Sequence, residues 1–334
     1  MLIVVFASAR AEPATIMRVA LALSVIGLVF SATASSLITL VVGVSLVGGA
    51  GAGIWMTAPI LATEYVSERR RGLVIGALTS TMGLANIVFG FGTSAWRTAA
   101  NDEQLWRPIW WVALGITAPL LAGMVVVCRF APTENLGTRG IDLSTIRRIP
   151  RWREVTVAYA LFGGMSAGFG TFIVAALQDH GGVTSSTSTL VFSLMGVAGM
   201  LTAPVAGALS DRLGRLTVLR VSLVVLVVAN LSVSVGGARG TIAGALLYSA
   251  GASTVPALIA AHVRDSLTNR SFSQALAIMT ILFSVMAAIM PAVVGRLGDI
   301  SFRWSYLVLA VLPLIGLSLL SLFRFDEVHH QPAG

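Results

Sequence analysis

Ten long apolar runs dominate this chain, and their repetition constrains the fold more than any single residue does. A helix needs about 20 apolar residues to cross the hydrocarbon of a bilayer, and only helices and closed barrels satisfy their backbone hydrogen bonds there. The runs are rich in Leu, Ala, Val and Gly and nearly continuous, whereas barrel strands alternate in pieces of about ten residues. They therefore predict helices. Composition agrees: 56% of residues are apolar and 11% charged, against about 25% charged in a soluble domain. The sequence reads as an all-α integral membrane protein.

The predicted spans are residues 15–35, 37–63, 72–95, 109–130, 155–178, 188–209, 216–235, 240–263, 272–294 and 305–323. A stub at 1–8 is apolar but too short to cross. The longest polar stretch, 131–153, carries Pro132, Gly137, Gly140 and Pro150 and reads as a linker. The organisation is an N-terminal half at 1–130 (stub plus four helices), a cytoplasmic linker at 131–153, a six-helix C-terminal half at 154–325 and a cytoplasmic tail at 326–334.

Every basic residue is Arg. When the loops are assigned to alternate sides, Arg97, Arg107, Arg239, Arg296 and Arg303 fall on one side and the other 17 of the 22 on the opposite one. Short Arg-rich loops stay in the cytoplasm, so both termini are expected there, in a bacterial inner (plasma) membrane. The net charge of +8 is then a mark of topology, and no nucleic-acid partner is implied. Cys128, the lone cysteine, supplies neither an intramolecular disulfide nor a metal cluster. The N-terminus has no basic leading region, so no cleaved signal peptide is expected.

The halves repeat each other. A shift of 197 residues takes Pro59, in GIWMTAPILATEYV, onto Pro256, in GASTVPALIAAHV. Each proline lies late in a long helix that runs into a charged loop, SERRRG or RDSLTNR. Trp106–Arg107 and Arg303–Trp304 precede the last helix of each half. Such landmarks suit an old internal duplication. The same shift places Met1 near Ala198, inside the sixth span, so the expected arrangement is four helices plus six.

The loop after the sixth span reads Gly207-Ala208-Leu209-Ser210-Asp211-Arg212-Leu213-Gly214-Arg215. It resembles the signature of the major facilitator superfamily, G-x-L-[AS]-D-R-x-G-R, with Leu216 where a further basic residue is usual. Softer resemblances are EYVSERRRG at 64–72 and Pro132-Thr133-Glu134. In such a turn Gly207 allows close packing, Gly214 frees the backbone, and Asp211 accepts hydrogen bonds or pairs with Arg212 and Arg215. The resemblance implies a two-half bundle of about 10 transmembrane helices whose halves rock in alternating access. It also implies a central cavity lined by the family's first, fourth, seventh and tenth helices. The last three correspond to the second, fifth and eighth spans here; the first has no counterpart. The first-half copy of the signature, expected around Arg10–Arg18, keeps only an arginine or two.

No charged residue stands near a span centre, where one would point to function. The cavity candidates are therefore neutral: Trp55 and Thr57 in the second span, Asn86 in the third, Tyr159, Ser166 and Thr171 in the fifth, Tyr248, Ser253 and Thr254 in the eighth, and Gln274 in the ninth. For each, the competing role is hydrogen-bonding glue between helices. Glu64 and His262, at span ends, are candidates for a charge or proton relay. Against that stand pairing with Arg69–Arg71 and polar contacts beside Arg264 and Asp265. Asp179 and His180 read as a solvated loop. Gly48–Gly53 and Gly163–Gly170 read as close-packing surfaces.

No HExxH, GxSxG, Walker lysine or metal-spaced cysteine pattern occurs. The expectation is a non-enzyme without cofactor or metal. It would be a secondary active or facilitative transporter moving a small solute, with or without a proton, across the bilayer. The alternative is an N-terminally truncated chain, from a misplaced start or a decayed gene, without transport activity on its own.

Overall fold

The computed structural model describes residues 13–64, 66, 74, 77–78, 80–81, 83–92, 106–130, 145–267 and 269–322. The stub, the loop at 67–72, linker residues 131–144 and the tail lie outside the described residues, as do the side chains of Pro59, Glu64 and Cys128. The helices are α1 (Pro13–Ala32), α2 (Leu37–Glu64), α3 (Gly83–Gly92), α4 (Trp106–Phe130), α5 (Trp152–Ala175), α6 (Ser185–Leu213), α7 (Arg215–Val235), α8 (Gly237–Ala252), α9 (Val255–Ser266), α10 (Asn269–Gly298) and α11 (Phe302–Leu322). Among the described residues nine segments are long and apolar enough to cross a membrane, with α8 and α9 together making one of them. Pieces of helix between 74 and 92 fall on the predicted third span.

Two connections need glycine. Gly214 (φ 90°) is the whole link between α6 and α7, and Gly236 (φ 80°) joins α7 to α8. Both backbones lie where a Cβ is disfavoured.

The predicted eighth span is broken at Ser253–Thr254. Pro256 is the second residue of α9 and has no N–H to return to the preceding turn. Hydroxyls hold the break: Thr254 Oγ1 donates to the Gly251 carbonyl (2.7 Å) and to Ser222 Oγ on α7 (2.7 Å), and Ser253 Oγ is 3.0 Å from Thr202 Oγ1 on α6. At the end of α5 the ladder widens into a π turn over Ala176–His180, where the Gly181 N–H reaches the Ala176 carbonyl at 2.9 Å.

The largest buried core lies in the C-terminal half, around Met165, Phe169, Ile173, Leu226, Met279 and Tyr306. The α5–α10 pair is its spine. A Cβ at Gly163 would collide with the Phe283 carbonyl oxygen, and one at Gly168 would stand 3.0 Å from Leu309 and Val294. This part of the glycine-rich stretch is a close-packing surface, as expected. Gly48, Gly49 and Gly51 on α2 are not: a Cβ there meets nothing within 4 Å. The α1–α2 turn is tied to α4 by Arg107, which donates to the Ala34 carbonyl at 3.0 Å.

The two predicted halves meet along α3 and α6. Gly83 and Gly196 face each other so closely that a Cβ on either lies 2.5 Å from the other's carbonyl oxygen, and Ser80 donates to the Met200 carbonyl at 3.4 Å. Gly163→Val is predicted to push α10 off α5 and cost about 2–4 kcal/mol of stability. A thermal-melting series in detergent checks this, with Gly51→Val, which faces open space, expected to melt close to the parent.

Candidate functional site

One face of α5 carries Tyr159, Phe162, Ser166 and Phe169, spaced three, four and three residues apart, so helical periodicity stacks them along one stripe. The stripe runs about 15 Å at 1.5 Å per residue. Tyr159 is buried; its ring lies 4.9 Å from that of Phe283 on α10, and Phe162 lies 6.1 Å from the same ring. The Tyr159 hydroxyl sits beside the side chains of Trp55 on α2 and Thr280 on α10. Farther along, Phe169 stacks on Tyr248 of α8 at 3.7 Å and meets Tyr306 of α11 edge-on at 5.3 Å. The Tyr248 hydroxyl donates to the Ser166 carbonyl at 3.3 Å. The edge-on contact of Phe169 with Tyr306 is of a kind that adds to simple area burial. The result is an aromatic column with hydroxyl groups at both ends, drawn from α2, α5, α8, α10 and α11.

Four predicted candidates join this column: Trp55, Tyr159, Ser166 and Tyr248. The others are placed elsewhere. Thr57 is buried between α1 and α2, donating to Gly53 O (2.8 Å) and touching Met17 Sδ (3.8 Å). Thr171 is exposed and donates to Ala167 O at 2.7 Å. Asn86 packs against Gly196 at the α3–α6 contact. Ser253 and Thr254 hold the break between α8 and α9. Gln274 is half-buried on α10.

His262 is buried at the end of α9, its Nε2 3.1 Å from the Pro150 carbonyl oxygen. It thereby pins the end of the linker. The Glu64 side chain lies outside the described residues. Asp179 is exposed, while His180 Nε2 approaches the Ser234 carbonyl at 3.2 Å and so joins α5 to α7.

The signature loop forms a charge cluster. Arg215 pairs with Asp211 (2.5 Å) and with Asp265 (3.2 Å), and also donates to Ser210 Oγ. It ties together the ends of α6, α7 and α9. The two carboxylates are 62% and 58% exposed, so the pairs contribute at most about 1 kcal/mol to stability. Gly214 takes its expected turn conformation. Gly207 does not serve close packing: a Cβ there would meet nothing within 4 Å.

The sequence reading passed over Phe162, Phe169, Thr280, Phe283 and Tyr306. The spacing of Tyr159, Phe162 and Phe169 was a usable signal on α5. Nothing in the sequence of α10 or α11 shows which aromatic residue turns inward.

Known proteins match this chain on both sequence and shape. The family model described as Major Facilitator Superfamily matches residues 155–333. The MFS-type transporter clz4 of Cochliobolus lunatus is 27% identical over 158 residues, which is 47% of this chain and 25% of that protein. The MFS-type transporter pytF of Aspergillus terreus is 26% identical over 172 residues, 51% of this chain and 57% of that protein. The chain thus spans between a quarter and little more than half of the length of these curated relatives. Among solved structures, FucP, a Major Facilitator Superfamily transporter in the outward conformation, superposes with a TM-score of 0.70 at 13% identity. That match covers 95% of this chain and 86% of the other. The human organic anion transporter MFSD10 gives 0.66 at 18% identity, covering 95% and 79%. With the family model matched over more than half its length, this chain belongs to the Major Facilitator Superfamily.

Proposed function

We propose that this chain carries a small, neutral solute across a membrane by alternating access, and that the solute is held along the aromatic column of α5. The observation that carries this reading is the meeting of Trp55 with Tyr159. It sets an indole from the predicted N-terminal half against a hydroxyl from the C-terminal half, at a point that a rocking motion must open and close. Solutes with a flat apolar face suit stacked rings, and Tyr159, Tyr248 and the Ser166 carbonyl offer donors and an acceptor for their polar edge. The column is built from rings and hydroxyls, which favours a solute without net charge. The fold of a fucose:proton symporter is consistent with a role for a proton. The chemistry assigned to the chain is binding and conformational exchange, with no bond made or broken. Its place is a cell membrane of bacterial inner-membrane type, with both termini cytoplasmic, as the arginine asymmetry indicates.

The test is uptake of a panel of neutral solutes by the purified chain in liposomes, with and without a proton gradient. Saturable uptake of at least one member is predicted. Tyr159→Phe should lower it by about five- to tenfold, the worth of one hydrogen bond. Thr171→Ala, on the exposed face of α5, should leave it unchanged. Asp211→Asn should slow uptake at equal expression while moving the melting temperature little. No saturable uptake, or a Tyr159→Phe protein equal to the parent, contradicts the reading.

Orientation is tested separately. A reporter fused after Gly140 is predicted to lie in the cytoplasm, and one inserted near Gly237 on the outer side. The reverse pattern overturns the assignment.

A further inference from the structure

We propose that the corner where the linker enters α5 is a binding site for the headgroup of an anionic phospholipid. The corner is a built platform. A short 3-10 helix, Thr145–Arg148, leads into it, and Thr145, Ile146 and Ile149 are buried in the C-terminal half, at 4%, 5% and 2% exposure. His262 holds the Pro150 carbonyl from α9. Arg151, in the left-handed region at φ 59°, turns inward: its guanidinium donates to the Leu319 and Leu320 carbonyls at the end of α11 (3.2 and 2.9 Å) and pairs with buried Glu154. Arg220 of α7 donates to the same Leu320 carbonyl at 2.9 Å. The backbone of 145–154 is therefore fixed to the rest of the C-terminal half.

On this fixed backbone the remaining arginines are turned out. Arg147, Arg148 and Arg153 are exposed, and Arg153 lies over the Trp152 ring at 5.3 Å. Three guanidiniums within seven residues, beside a half-buried tryptophan at the start of a membrane span, offer forked donors matched to phosphate oxygens. Tryptophan favours the headgroup level. Because the platform is already ordered, binding there costs little conformational entropy. A lipid fits better than a soluble anion because apolar surface adjoins the arginines. Val157, one turn beyond Arg153 on the same face of α5, is 43% exposed and lies where an acyl chain would run. The site is independent of the solute-binding proposal and needs only that the chain spans a membrane.

The experiment is native mass spectrometry of the purified chain in detergent, titrated with phosphatidylglycerol, phosphatidylcholine or inorganic phosphate. Phosphatidylglycerol should bind in preference to phosphatidylcholine, and inorganic phosphate should not displace it. The triple variant R147Q/R148Q/R153Q should weaken phosphatidylglycerol binding by at least roughly tenfold, as the loss of three surface cations implies. A control, R239Q/R296Q/R303Q, removes the same charge from exposed positions at the other end of the bundle and should retain the binding. Melting in phosphatidylcholine confirms that both variants fold. Equal binding by the first triple and the parent overturns the proposal. So does equal loss in the control, no preference over phosphatidylcholine, or displacement by inorganic phosphate, which would make it a soluble-anion site.

Discussion

Hydrocarbon offers no partner to a polar group, and this one constraint shapes both the backbone and the side chains of the chain. Helices satisfy the backbone internally. Most hydroxyls follow the same rule by donating to the carbonyl one turn back: Ser31 to Gly27, Thr57 to Gly53, Thr117 to Ala113, Thr171 to Ala167, Ser222 to Val218 and Thr280 to Leu276. A hydroxyl so engaged has its proton committed, and its presence in a span says little about function. The hydroxyls that reach another helix are more informative. Four of them involve α8 and its break: Tyr248 to Ser166, Ser249 to the Met195 carbonyl, Thr202 with Ser253 and Thr254 to Ser222.

That break links sequence to mechanism. Pro256 removes a hydrogen bond from the middle of a span, and the break is bridged to α6 and α7 by hydroxyl pairs, Ser253 with Thr202 and Thr254 with Ser222. The C-terminal end of α8 is then held by packing of Tyr248 on Phe169 and, just beyond it, by the small polar knot at Ser253–Thr254. Earlier in α8, glycine packs the helix tightly on α7: a Cβ at Gly244 would stand 2.6 Å from the Ala229 carbonyl oxygen, and one at Gly240 2.8 Å from that of Ser232. The C-terminal half is thus tightly packed at Gly163 and Gly168 of α5 and at Gly240 and Gly244 of α8, with the hydrogen-bonded break between α8 and α9 beyond them.

Fold class and span positions were legible because length and hydropathy are strong signals in a membrane chain. Each described transmembrane helix falls on a predicted run, and Gly214 takes the turn its motif requires. The site was half legible. Trp55, Tyr159 and Tyr248 are found together because large polar-tipped residues in spans rarely face lipid; Ser166 joins them through its backbone carbonyl, its hydroxyl bonding its own helix at Gly163. Thr57 and Thr171 are not, since a threonine that bonds its own helix can sit on any face. Phe283 and Tyr306 went unseen because inward orientation on α10 and α11 depends on helix rotation, which tertiary packing sets. Gly48–Gly51 and Gly207 misled for a related reason: glycine permits close approach without enforcing it.

The central claim is that the halves separate and rejoin at the Trp55–Tyr159 contact. The most direct measurement is a distance distribution between spin labels at Gly51 on α2 and Gly170 on α5, in a Cys128→Ser background in lipid nanodiscs. Both positions face open space, so labels there disturb no packing. The account predicts at least two distance populations whose ratio shifts when a transported solute is added. A single distance, unchanged by any solute that the chain carries, would contradict it.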